Sequence, residues 1–97
     1  MAETQYFLKK VANGQETPLQ GKTSVGRSAE SALHLVEEDG KASRNHAEIT
    51  FDGASAFVED LGSTNGTFVN GRRIRSETLS DGDELKLGNT RLRFEAR

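Results

Sequence analysis

Ala47-Glu48-Ile49-Thr50-Phe51-Asp52-Gly53 alternates apolar and polar side chains over five positions and then stops on an Asp-Gly pair. A period of two sets Ala47, Ile49 and Phe51 on one face of an extended chain and Glu48 and Thr50 on the other. Asp-Gly tolerates positive φ and turns the chain back, so the stretch reads as a half-buried strand entering a hairpin. Glu84-Leu85-Lys86-Leu87 and Arg91-Leu92-Arg93-Phe94-Glu95 repeat the alternation, and short segments at 6–11, 22–27, 33–36, 56–59 and 67–70 complete a set of strands. Asn13-Gly14, Asp39-Gly40, Asn65-Gly66, Asn70-Gly71 and Asp81-Gly82 punctuate them. Turn signals about 8–12 residues apart predict a β-sandwich or a small barrel. One helical contender, 29–36, is too short to stand alone. The predicted class is all-β.

At 97 residues the chain is expected to form one domain over 1–97, with its core at about 5–95. A net charge of −2 argues against a broad nucleic-acid surface, and the absence of Cys removes disulfides, thiolate metal cages and Cys nucleophiles. With only two His, a His-rich metal site is not expected either. No stretch approaches the roughly 18 apolar residues of a membrane span, and no apolar leader opens the chain, so an intracellular, cytoplasmic location is expected.

Local chemical signals mostly fail on context. Gly21-Lys22-Thr23 resembles the end of a phosphate-binding P-loop, but Glu16 stands where the first Gly is needed and no helical pattern follows. Ser43 and His46 lack the strand-turn-helix setting of a hydrolase nucleophile, so no catalysis is expected. His34, between Leu33 and Leu35, reads as an outward-facing strand residue. The Arg72-Arg73…Arg75 cluster reads as a solvated hairpin edge rather than a nucleic-acid contact.

Three turn-rich segments concentrate hydrogen-bond donors: Gly26-Arg27-Ser28, the loop at 37–46, and Leu61-Gly62-Ser63-Thr64-Asn65-Gly66-Thr67. Hydroxyl, amide and guanidinium groups beside free backbone N–H groups suit a phosphate oxyanion, and a sandwich gathers such loops at its ends. Each segment alone has a local explanation, because Ser, Thr, Asn and Gly populate turns for backbone reasons.

In order and spacing, Gly26-Arg27, Ser43-Arg44-Asn45-His46 and Asp60-Leu61-Gly62-Ser63-Thr64-Asn65-Gly66-Thr67-Phe68-Val69-Asn70-Gly71 resemble the signature of the forkhead-associated (FHA) domain. The tail Leu79-Ser80-Asp81-Gly82-Asp83-Glu84-Leu85-Lys86-Leu87-Gly88 is similar to the same family's final turn and strand, so the likeness spans about residues 6–94. The resemblance implies an eleven-stranded β-sandwich that recognises phosphothreonine peptides through loops at one end. It implies that Arg27 contacts the phosphate or the adjoining peptide backbone, and that Ser43 and Arg44 bind phosphate oxygens. Thr64 would add a hydroxyl or backbone donor, and Asn65 would grip the peptide main chain. Gly26, His46 and Gly66 would shape the loops, Asn70 would brace the third loop, and Lys41 would tune the flanking-peptide preference. The sequence departs from the family at Ser31, where an Asn or Asp is usual, and the loop that follows is about two residues longer.

These expectations define a phosphothreonine-binding module in kinase-dependent signalling, without cofactor or metal. Its expected partners are a phosphothreonine protein and an upstream Ser/Thr kinase, not nucleic acid or membrane. The domain is expected to be monomeric unless Thr4, in the arm before the first strand, is itself phosphorylated. The alternative is phosphate-independent assembly through a sheet face, where Glu48, Lys86, Arg91 and Arg93 present mixed charge.

Overall fold

The computed structural model describes residues 5–19, 21–28, 31–35, 42–52 and 55–97. Lys41, Thr4 and the Asp39-Gly40 turn lie outside the described residues. Among the described residues eleven strands run in chain order: β1 Tyr6–Lys10, β2 Glu16–Pro18, β3 Lys22–Gly26, β4 Leu33–His34, β5 Ala47–Phe51, β6 Ala56–Asp60, β7 Thr67–Val69, β8 Arg72–Ile74, β9 Ser76–Leu79, β10 Glu84–Leu87 and β11 Thr90–Ala96. They form a six-stranded sheet, β2-β1-β11-β10-β7-β8, and a five-stranded sheet, β4-β3-β5-β6-β9. Every pairing is antiparallel except β3 with β4.

Alternation decides which side chains meet between the sheets. Leu8, Leu85, Leu87, Leu92 and Phe94 from one sheet, and Val25, Ala47, Ile49 and Val58 from the other, are almost fully excluded from solvent. Tyr6 closes one edge of this core, its ring 4.6 Å from that of Phe51 and 5.6 Å from that of Phe94. Fully burying one Leu, Ile, Val or Phe side chain stabilises by about 1.5–3 kcal/mol, so this inner layer is the main source of cohesion.

Where both residues are described, the Asn-Gly and Asp-Gly pairs place their glycines at positive φ, as their chemistry allows. Asn70-Gly71 joins β7 to β8 as a two-residue turn with φ of 52° and 83°, the type I′ geometry that follows strand twist. Asn70 also accepts from the Glu84 N–H at 3.0 Å and donates through Nδ2 to Asp83 Oδ1 at 3.0 Å. It was expected to brace the third loop; its bonds instead tie the β7–β8 turn to the start of β10. Replacing Asn70 with Ala removes both bonds and leaves a branched Cα at positive φ. A loss of about 1–3 kcal/mol in urea unfolding is expected, without loss of ligand recognition.

Strand ends differ from expectation by a residue or so: β1 stops at Lys10, β3 at Gly26 and β7 at Val69, while β6 extends to Asp60 and β11 begins at Thr90. The 29–36 segment contains β4, and His34 on it is exposed, as its alternation with Leu33 and Leu35 predicts. Gly21 has φ of 59° and leads directly into β3, with no helix to complete a P-loop.

Candidate functional site

Chain direction brings the β3–β4, β4–β5 and β6–β7 loops to the same end of the sandwich, where backbone bonds lock them together. The Arg27 N–H donates to Ser43 O at 3.0 Å and the Ser28 N–H to Arg44 O at 3.1 Å, joining the first loop to the second. The Leu61 N–H donates to His46 O at 3.0 Å, joining the second to the third. Gly26 sits where the first two loops touch. A Cβ there would lie 1.9 Å from Arg44 O and 2.7 Å from the Arg44 carbonyl carbon. Glycine is therefore required for close approach rather than for an unusual φ.

His46 is the buried tie among the loops. Its Nδ1 accepts from the Ser43 N–H at 3.0 Å, so Nε2 carries the proton and donates to Gly66 O at 2.9 Å. The ring has no exposed surface. One neutral imidazole thus holds the backbone of the second loop to that of the third.

Asp60 organises the third loop. Its Oδ1 accepts from the Ser63 hydroxyl and from Thr67 Oγ1, the latter at 2.7 Å, while Oδ2 accepts from the N–H groups of Gly62 at 3.1 Å and Ser63 at 3.2 Å. Ser63 Oγ in turn accepts from the Gly66 N–H at 3.0 Å. Burial pushes the Asp60 carboxyl up, but the bonds from the Ser63 and Thr67 hydroxyls and from the Ser63 and Gly62 amides outweigh it and hold the group below its ordinary 3.8. A carboxyl depressed in the folded state contributes stability that is full above its unfolded value and is lost as pH falls through the folded one. Wild-type stability is therefore expected to fall on acidification below about pH 4 more steeply than that of Asp60→Asn, a difference that urea titrations across that range will register. The sequence motif alone assigns no role to Asp60 and Ser63. Their signal was the Asx-turn spacing, an Asp followed two and three residues later by Gly and Ser.

On this frame the expected ligand residues stand as follows. Arg44 is exposed, and its guanidinium has no ion pair or hydrogen bond among the described residues. Arg27 is exposed, and its Nε donates to Ala42 O, which anchors the side chain through one of its three guanidinium nitrogens. Ser43 Oγ accepts from the Thr64 N–H at 3.0 Å, so the hydroxyl keeps its proton to donate. The same bond uses the Thr64 backbone N–H and leaves the exposed Thr64 hydroxyl as that residue's donor. Asn65 is exposed beside it. Arg27, Ser43, Arg44 and Thr64 are brought to one end of the fold, with Asn65 next to Thr64 and with Gly26, His46 and Gly66 behind them. Lys41 is the expected site residue that falls outside the described residues.

A family model described as the FHA domain matches residues 23–88, well over half of the chain. The chain belongs to the FHA domain family. Among curated relatives, the glycogen accumulation regulator GarA of Mycolicibacterium smegmatis is 43% identical over 75 residues, covering 77% of this chain and 46% of that protein. The oxoglutarate dehydrogenase inhibitor of Corynebacterium diphtheriae is 46% identical over 72 residues, covering 74% of this chain and 49% of that protein. The chain thus spans about half the length of these relatives. A solved FHA domain from a structural and functional study of phosphothreonine-dependent FHA domain interactions superposes with a TM-score of 0.87 at 33% identity, covering 94% of this chain and 95% of that one. Mycobacterium tuberculosis EmbR in complex with a low-affinity phosphopeptide also gives 0.87 at 33% identity, covering 94% of this FHA domain and 24% of EmbR. The eleven-stranded sandwich is the architecture of the family.

Proposed function

We propose that the loop end of this FHA domain docks a phosphothreonine segment of a partner protein through Arg27, Ser43, Arg44, Thr64 and Asn65. The domain is a phosphothreonine-recognition module of an FHA family made up of binding modules and regulators. The observation that carries the residue assignment is the exposed Arg44 guanidinium, without an ion pair or hydrogen bond among the described residues, on a loop whose backbone is fixed by His46, with the Ser43 and Thr64 hydroxyls on the two loops it joins.

A phosphothreonine brings about −1.5 to −2 charges and three acceptor oxygens. Arg44 offers a forked, permanently charged donor, and the two hydroxyls offer neutral ones. Arg27 adds a second positive charge, so the site balances the phosphate although the chain carries a net charge of −2. A niche for the threonine methyl contributes only ~0.8 kcal/mol, roughly fourfold, so stronger rejection of phosphoserine needs tight packing of the rigid loops. A short peptide touching loops alone gives affinity near micromolar, about −7 to −9 kcal/mol.

A Ser/Thr kinase acting on the partner would create the ligand, and the domain would then read it without turnover. The relatives' names describe a regulator and an inhibitor. On that likeness, the polypeptide carrying this domain acts as a phosphorylation-responsive regulator inside the cell. Of the exposed large apolar residues among those described, Phe57 lies on β6 while Val11 and Leu61 fall just past the ends of β1 and β6, which gives assembly through an apolar sheet face no support.

Fluorescence anisotropy with a phosphothreonine peptide tests the residue roles. Arg44→Ala removes charge-assisted bonds worth about 1.5–3 kcal/mol and is expected to weaken binding roughly ten- to a hundredfold. Unchanged affinity in Arg44→Ala would remove that residue from the site.

A further inference from the structure

Arg72, Arg73 and Arg75 read in sequence as one solvated cluster, yet the fold separates them. Arg72 pairs with Glu77 across the edge of the sandwich. Arg73, opposite Phe68 in the β7–β8 ladder, instead runs toward the loop end and lies against Gly66. A Cβ on Gly66 would come 2.7 Å from Arg73 Nε, 3.1 Å from its Cζ and 3.3 Å from its Cδ. Its guanidinium, unlike that of Arg72, Arg91 or Arg97, has no carboxylate partner and no hydrogen bond among the described residues. The next residue along from Gly66 is Asn65, the expected peptide grip. Arg75 is placed close by, its carbonyl accepting the Asp60 N–H at 2.8 Å where the third loop begins.

We propose that Arg73 forms a cationic subsite on the Asn65 side of the phosphate pocket, which selects phosphopeptides carrying an Asp or Glu side chain beside the phosphothreonine. The inference rests on the phosphothreonine reading and adds a specificity determinant to it. Contact of the Arg73 Cδ, Nε and Cζ with the space over Gly66 restricts the side chain before ligand arrives, so less entropy opposes a carboxylate contact. With no carboxylate to displace among the described residues, its charge is available to the peptide. Gly66 has φ of 89° and no Cβ, so the loop both turns and leaves room for the side chain. The contact is solvent-exposed, which sets its size at about three- to fivefold in affinity and makes it sensitive to salt.

The test moves a single Glu through the positions flanking phosphothreonine in an otherwise neutral peptide, against wild type, Arg73→Gln, Arg73→Lys and Lys86→Gln. Wild type is expected to prefer one Glu position about three- to fivefold over the neutral peptide. Arg73→Gln should erase that preference while still binding the neutral phosphopeptide as wild type does, and Arg73→Lys should restore part of it. Lys86→Gln removes a charge across the ladder from Phe68 and should leave the preference intact, which separates a local subsite from long-range attraction. Equal weakening of all phosphopeptides by Arg73→Gln, or no acidic preference in wild type, would overturn the subsite and leave phosphothreonine recognition standing. Equal binding of phosphorylated and unphosphorylated peptides by wild type would overturn both.

Discussion

Gly26→Ala is expected to cost about 3 kcal/mol or more in unfolding free energy and to abolish phosphopeptide binding at micromolar concentrations. The added methyl carbon would fall 1.9 Å from Arg44 O, 2.7 Å from the Arg44 carbonyl carbon and 3.0 Å from the His46 backbone nitrogen. Overpacking a core side chain typically costs about 1–3 kcal/mol because rotamers can rearrange. Here the obstacle is backbone, so relief requires the second loop to move as a unit. That movement breaks the Arg27–Ser43 and Ser28–Arg44 bonds and carries the Arg44 guanidinium out of register with Thr64. Urea unfolding with a free fit of the slope reads the stability, and anisotropy reads the binding. A change below about 1 kcal/mol with binding retained would show that the loops do not meet as described.

His46→Ala is expected to be nearly as damaging, by a different route. The substitution strands the partly buried Ser43 N–H and the buried Gly66 carbonyl, each loss worth about 1–3 kcal/mol, and leaves a cavity where the ring was. The two stranded groups alone come to about 2–6 kcal/mol, a large share of the 5–15 kcal/mol that small domains possess. Binding should suffer even where the protein remains folded, because the imidazole is what holds Ser43 and Gly66 in common register. Amide exchange supplies the local readout. In folded His46→Ala the amides of Ser43 and Gly66 should lose protection while those of Leu85 and Leu92 keep it. Uniform protection across both regions would contradict the tie.

Much of the sandwich was legible because its central strands are buried on one face. β5, β10 and β11 carry full apolar-polar alternation, since one side packs on the core and the other meets water. β2, β8 and β9 were not legible, and each lies at the edge of a sheet. Glu16–Pro18 contains a proline, tolerated at an edge because no ladder partner needs its N–H. Arg72–Ile74 begins with two arginines, whose charge suits an exposed edge but obscures the strand pattern. The number of strands therefore came from the family resemblance rather than from alternation.

The site was legible as residue types, and its internal wiring was not. Ser43, Arg44, Thr64 and Asn65 stand out because donors cluster in turns. Sequence could not show that the Thr64 N–H is already taken by the Ser43 hydroxyl, a contact between residues 21 positions apart. Nor could it separate Arg73 from its neighbours, since its setting depends on a missing side chain at Gly66, seven residues back along the chain and across a hairpin. The glycines likewise divide by physics that composition does not carry: Gly71 supplies positive φ to a hairpin, whereas Gly26 supplies empty space for a carbonyl.

The central claim is that three loops, held by Gly26, His46 and Asp60, form one phosphate-dependent peptide site. Backbone amide NMR during titration with a phosphothreonine peptide, and with the same peptide dephosphorylated, tests it most directly. The phosphorylated peptide should shift the amides of Arg27, Ser28, Ser43, Arg44, Thr64, Asn65 and Gly66 together along one saturating curve, and the dephosphorylated peptide should shift none of them. Shifts confined to a sheet face, or equal responses to the two peptides, would contradict the account.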